Sequence, residues 1–124
     1  MSVVYDAGVL VAAKQSDRHV WADHRARLEL GLLPLTTAPV VAQVSRSPRQ
    51  AQLRRFLRGC QVMPFSETGH DVGALAGASG TSDVVDAHVV IVAAEAGAGV
   101  LTSDERDLTR LTAHLPSPVH VIRL

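Results

Sequence analysis

Short β-prone apolar runs alternate with longer stretches whose apolar residues recur every three or four positions, and this alternation organises the chain. Val3-Val4-Tyr5 reads as a strand ending at Asp6, and Ala7 to Lys14 continues as a helix. Asp17 suits the cap of a second helix, with Val20, Trp21, His24, Leu28 and Leu32 on one stripe and Gly31 and Pro34 ending it. Leu35-Thr36-Thr37 predicts a strand, and Pro39 opens a helix through Val44. Ser47-Pro48-Arg49-Gln50 has capping-box spacing, with Leu53, Phe56 and Leu57 as the following stripe and Gly59 as the stop. Gln61 to Pro64 is a strand, and Ser66 is placed to cap a helix carrying Gly69, Gly73 and Gly77. Each glycine costs such a helix about 1 kcal/mol against alanine, so the spacing predicts close backbone approach along that face. Val84 to Ala96 is almost wholly apolar. Its valines favour a strand, but its length and the Ser82-Asp83 start favour a helix. Gly97 to Gly99 ends it, Val100-Leu101-Thr102 is a strand, Ser103-Asp104 caps a helix with Leu108 and Leu111, and Val119 to Ile122 closes as a strand.

Strands alternating with helices predict an α/β fold, a mostly parallel central sheet with helices on both faces. At 124 residues the chain forms one domain, 1–124. Aromatics are only 3% of a chain that is 47% hydrophobic, so Val, Leu, Ile and Ala must build the core. The one cysteine, Cys60, rules out an internal disulfide and gives a zinc site a single thiolate. No apolar run reaches the roughly 18 residues of a membrane span, and Asp6 interrupts the apolar N-terminus without a basic segment before it. The cytoplasm is the expected compartment.

In a parallel sheet, ligands bind beyond the carboxyl ends of the strands at the topological switch point. Asp6 follows the first strand, Asp104 follows the Val100–Thr102 strand by two residues, and Asp83 and Asp86 lie three apart at a helix start. Taken singly, Asp104 and Asp83 are explained as a helix cap and as dipole compensation. Asp6 is harder to explain, because an acid in an apolar stretch is expensive unless something satisfies it. Carboxylates gathered in one cleft either take up protons or hold a cation, and hard oxygen ligands select Mg²⁺ or Mn²⁺.

This arrangement resembles the PIN-domain family of metal-dependent nucleases, most closely its VapC-type toxins from toxin–antitoxin pairs. Val3-Val4-Tyr5-Asp6 is similar to the family's opening strand and first aspartate, Asp86-Ala87-His88-Val89-Val90 to its Asp-Ala helix, and Leu101-Thr102-Ser103-Asp104 to its later strand and aspartate. The resemblance covers nearly the whole chain. It implies a PIN-like three-layer sandwich and hydrolysis of RNA phosphodiester bonds with Mg²⁺ or Mn²⁺ held by the catalytic residues Asp6, Asp86 and Asp104. Asp83, Asp107 and Thr102 are auxiliaries. It also implies a cognate antitoxin and a homodimer, with the glycine face or the Val20–Leu32 helix as candidate surfaces. Gln43 stands where the family usually carries a glutamate, which leaves the cluster one negative charge short.

Charge is segregated although the formal net charge is zero: Lys14 to Arg58 carries a surplus of six positive charges and Gly59 to Leu124 a deficit of five. Arg46, Arg49, Arg54, Arg55 and Arg58 occur without one acid between them. Arg46, Arg49, Arg55 and Arg58 are therefore candidates for RNA phosphates or an acidic partner, beside the plainer reading of a solvated face. Scarce aromatics argue against readout by base stacking. The histidines show no paired spacing for metal-free acid–base cleavage, and His88 reads as a packed residue. A phosphoacceptor receiver domain is disfavoured because the middle strands carry no acid and Lys14 is the only lysine. The alternative kept open is a catalytically weakened PIN-like module that binds RNA or protein without cutting.

Overall fold

The computed structural model describes residues 2–48, 50–65, 69–81 and 83–124. Five parallel strands form one sheet in the order β3-β2-β1-β4-β5: β1 (Val3–Tyr5), β2 (Leu35–Thr37), β3 (Gln61–Met63), β4 (Gly99–Thr102) and β5 (Val121–Arg123). The helices are α1 (Ala7–Lys14), α2 (Arg18–Glu29), α3 (Ala38–Val44), α4 (Ala51–Leu57), α5 (Gly69–Ser79), α6 (Val84–Ala96) and α7 (Glu105–Thr112). Among them α1 to α4 pack together on one side of the sheet, and α5 to α7 on the other. The expected three-layer α/β sandwich is therefore the fold, with a wholly parallel sheet.

The chain builds outward from β1 to β3, then crosses to β4 on β1's other flank, which puts the switch point between β1 and β4. In β1, Tyr5 reaches Phe56 of α4 and His24 of α2, and Val4 alternates to the opposite face. The core is aliphatic as the composition requires, with Phe56 and Tyr5 the largest fully buried side chains. No helix among the described residues is long and apolar enough to cross a membrane.

Several boundaries move from their sequence-based positions. Helix α2 stops at Glu29, because Gly31 adopts φ +74 and turns the chain before Leu32. The capping box does not form. Helix α4 starts at Ala51 with Gln50 as its N-cap residue, and the Gln50 amide donates to the Ser47 carbonyl at 2.7 Å. Val119 and His120 lie before β5, which runs one residue further than expected. Within the chain, a Cβ added at Gly73 or Gly77 meets nothing within 4 Å, so no other element of the described residues approaches the glycine face there. Ser66 and Ser82 lie outside the described residues.

Candidate functional site

Helix α6 leads into the start of β4, so it runs opposite to the strands and begins at their carboxyl edge. Asp83 and Asp86 are thereby brought to the edge where β1 delivers Asp6 and β4 delivers Thr102 and Asp104.

Asp6 is buried, with 4% of its surface exposed. It stands at the N-cap position of α1, yet its side chain makes no capping hydrogen bond. Its Oδ2 accepts from the Thr102 hydroxyl at 2.8 Å, and its Oδ1 is buried with no hydrogen-bond partner among the described residues. A carboxylate kept for local structure would be capping; this one is held sideways with an oxygen left free. Burial raises its pKa, against the lowering effect of the Thr102 hydroxyl and the Ala7 N–H, and the charges of Asp104 and Asp83 raise it further.

Asp86 is pushed up to about 7, first by burial, then by the charges of Asp6 and Asp83, a side-chain hydrogen bond with Asp83, and the charge of Asp104. The four carboxylates thus share one field. Their roles separate by hydrogen bonding. Asp83 is a true helix cap, its Oδ1 accepting from the Val85 and Asp86 N–H groups at 3.0 Å each. Asp104 sits at the N-cap position of α7 but makes no side-chain cap and is exposed. Its N–H donates to Thr102 Oγ1 at 2.9 Å. Thr102, fully buried, therefore ties Asp6 and Asp104 together through one hydroxyl.

A cleft of about 230 Å³ beside this cluster is lined by Asp83, Asp86, Asp107 and Arg110, and one of about 580 Å³ by Asp104, Arg106 and Arg123. Among the described residues, no three His, Cys, Asp or Glu side chains are grouped tightly enough to hold an ion as they stand. The acids are within electrostatic reach of one another without closing on a point. Their donor set of hard oxygens, and the free buried Oδ1 of Asp6, suit a small divalent cation better than zinc.

Gln43 lies in the last turn of α3 and is exposed. Its carbonyl accepts from Arg46 Nε at 3.1 Å, and no hydrogen bond among the described residues links its side chain to the carboxylates. His88 is fully buried, ring-to-ring 4.9 Å from Phe65. The Pro64 carbonyl bears on its ring, but neither ring nitrogen has a partner in hydrogen-bond geometry among the described residues. Burial lowers its pKa, so it is a neutral packed residue.

The pattern-based reading missed Gly8. A Cβ there would lie 2.8 Å from Ser103 Cβ and would collide with Ser103 Oγ. The bare glycine lets the first turn of α1 press against the β4–α7 loop, which seats Asp6 beside Asp104. A glycine two residues past the first acid, inside a helix otherwise rich in good helix formers, was the available signal.

The arginine segment does not act as one face. Arg46 is tied to α3, Arg49 lies outside the described residues, and Arg54, Arg55 and Arg58 are all exposed. Of these, Arg55 turns toward α2, its guanidinium 5.5 Å from the centroid of the Trp21 ring.

No protein-family model and no curated protein matches the chain. Solved structures do. The crystal structure of VapBC2 from Rickettsia felis bound to a DNA fragment from their promoter aligns with a TM-score of 0.70 and 15% identity, covering 100% of this chain and 99% of that one. The crystal structure of PAE2754 from Pyrobaculum aerophilum aligns with a TM-score of 0.65 and 17% identity, covering 97% and 92%. The chain shares their fold from end to end.

Proposed function

We propose that this protein is a divalent-metal-dependent endoribonuclease of the VapC type, the toxin of a toxin–antitoxin pair. One observation carries the reading: the buried Asp6 carboxylate forgoes its helix cap, leaves Oδ1 free, and lies in the field of three further aspartates at the switch point of the sheet. The fold shared with VapBC2 supports the same reading and an antitoxin partner.

Asp6, Asp86 and Asp104 would hold Mg²⁺ or Mn²⁺, since Asp83 is committed to capping α6. When bound, such an ion activates a water for attack on phosphorus and neutralises charge on the phosphate oxygens. The chain's own part is positional. Thr102 fixes Asp6 and the Asp104 backbone, and α6 projects Asp86 from its first turn. Asp86, poised near neutrality, holds a proton while the carboxylates face one another alone and gives it up when positive charge enters. Arg106, Arg110 and Arg123 edge the two clefts with positive charge suited to a phosphate backbone.

Single-stranded RNA incubated with purified protein and Mg²⁺ tests this. Cleavage is expected to disappear in EDTA, and to fall by about two orders of magnitude or more in Asp6→Asn, Asp86→Asn and Asp104→Asn, the scale of losing several kcal/mol of metal-borne charge stabilisation. Full activity in chelator overturns the reading. RNA binding without cleavage by the wild-type protein favours the weakened module, whose support is the uncharged Gln43.

A further inference from the structure

A cleft of about 320 Å³ opens between α2 and α4, and none of Asp6, Asp83, Asp86 and Asp104 lines it. Arg18 and Arg25 line it from α2, Arg55 and Gln52 from α4, and Trp21 from α2. The indole is fixed in place. Its Nε1–H donates to the Ala13 carbonyl at 2.9 Å, and Phe56 meets it edge-on with centroids 5.1 Å apart. Arg55 stacks over this ring, and its Nη1 donates to Gln52 Oε1 at 3.1 Å.

The two clefts beside α2 differ in charge, although Glu29 lies one turn beyond Arg25 on the helix. Asp17, Asp23 and Arg27 line a separate cleft with Ile122, Arg123 and Leu124, and Asp23 pairs there with Arg27 at 2.9 Å. The Arg18, Arg25 and Arg55 guanidinium groups have no ion-pair partner among the described residues, and no acid lines their cleft. A cleft lined by three arginines and no acid attracts anions.

We propose that this cleft is a nucleotide subsite for single-stranded RNA, in which Arg18 and Arg25 take a phosphate and the Trp21–Arg55 stack takes a base. The proposal rests on the ribonuclease reading and deepens it. Guanidinium groups bind phosphate oxygens in paired hydrogen bonds. A ring already stacked by a guanidinium offers a flat surface of the kind on which bases stack irrespective of sequence. Gln52 brings an amide, donor and acceptor together, to the same wall. The volume lies at the low end of small-ligand sites, about 300–1,000 Å³, which suits one nucleotide and not a partner helix. An acidic peptide would match the arginines but not the indole.

Trp21 is the only tryptophan, so its emission reports this cleft alone. Asp6→Asn protein without metal is titrated with a short fluorophore-labelled single-stranded RNA, with an abasic oligomer of equal length, and with oligoglutamate. RNA is expected to quench Trp21 emission saturably, and the abasic oligomer to bind without that quench. Arg25→Gln/Arg55→Gln is expected to bind RNA about tenfold more weakly at low salt, with a salt slope smaller by up to about two units. Arg25→Lys/Arg55→Lys, which keeps the charge but not the planar fork, is expected to restore the slope more than the quench. RNA binding by anisotropy with unchanged Trp21 emission, and with affinity indifferent to both arginines, overturns the subsite while leaving cleavage standing. Quenching by oligoglutamate in place of RNA makes the cleft a protein-docking face and also overturns it. Neither RNA binding nor cleavage by the wild-type protein with Mg²⁺ removes the ribonuclease reading, and the subsite with it.

Discussion

Thr102 does two jobs with one hydroxyl, and a valine of the same shape can do neither. In Thr102→Val the Asp6 Oδ2 loses its donor while buried, a loss of about 1–3 kcal/mol by urea denaturation. The hydroxyl lowers the Asp6 pKa, so its removal raises that pKa further. The deficit is therefore expected to grow as pH rises, since the lost hydroxyl favoured the ionised carboxylate. Thr102→Ser keeps the donor and is expected to recover most of the loss. Asp86 gives a second residue-scale test. Its folded pKa lies above its unfolded value, so the fold binds the extra proton, and its unfavourable contribution grows as pH rises from about 4 to about 7. Metal-free Asp86→Asn is accordingly expected to melt higher than wild type at pH 8, with the difference shrinking toward pH 4. The aspartates were legible in the sequence because each follows a strand or opens a helix. Their division of labour was not, because whether a carboxylate caps its helix depends on a partner from elsewhere in the chain. Asp83 caps, whereas Asp6 and Asp104 do not.

At the scale of elements, α1 and the β4–α7 loop are held in contact by the absence of a side chain. Gly8→Ala is expected to destabilise the fold by about 1–3 kcal/mol through overpacking against Ser103, despite alanine's better helix propensity. Ser103→Gly in the same chain removes both colliding atoms and is expected to restore stability and metal-dependent cleavage together; denaturant midpoints and RNA cleavage assays check it. Apolar runs and stripes located the strands and most helices to within a few residues because they are local, whereas α6, apolar nearly all round, was placed by its length and its acidic start. The capping-box spacing misplaced the start of α4, because Gln50 spends its amide on the Ser47 carbonyl instead of closing the box. The glycines of α5 meet no other element of the described chain, Gly73 and Gly77 facing open space within it. A regular spacing of small residues says what a helix face lacks, and not whether a neighbour uses it.

For the molecule as a whole, two buried imidazoles on opposite sides of the sheet weaken the fold in acid. His24 stacks on Phe56 at 4.0 Å and meets the Tyr5 hydroxyl at 3.0 Å, and His88 sits within α6. Burial lowers both pKa values from 6.5, so the unfolded chain takes up protons that the fold refuses. Their contribution is complete above pH 6.5 and is lost as pH falls below it. The carboxylate cluster works in the opposite sense. In chelator, the melting temperature of Asp86→Asn is therefore expected to fall more steeply than that of wild type between pH 7 and 5. The sequence placed both histidines in unremarkable roles, since nothing in a neighbourhood of valines and alanines reveals how deep a helix lies. Trp21 was undervalued for a related reason. A single aromatic carries no pattern, and its arginine neighbours come from two helices.

The sheet order has a consequence for how the molecule comes into being. Asp6 lies near the start of the chain, and the hydroxyl that steadies it arrives 96 positions later. A nascent chain can pair β1, β2 and β3 early, yet β1, the central strand, keeps one open flank until β4 is synthesised. The carboxylate edge is among the last features to close. On the ribosome, the growing polypeptide therefore lacks the assembled aspartate cluster until β4 and Asp104 have been made.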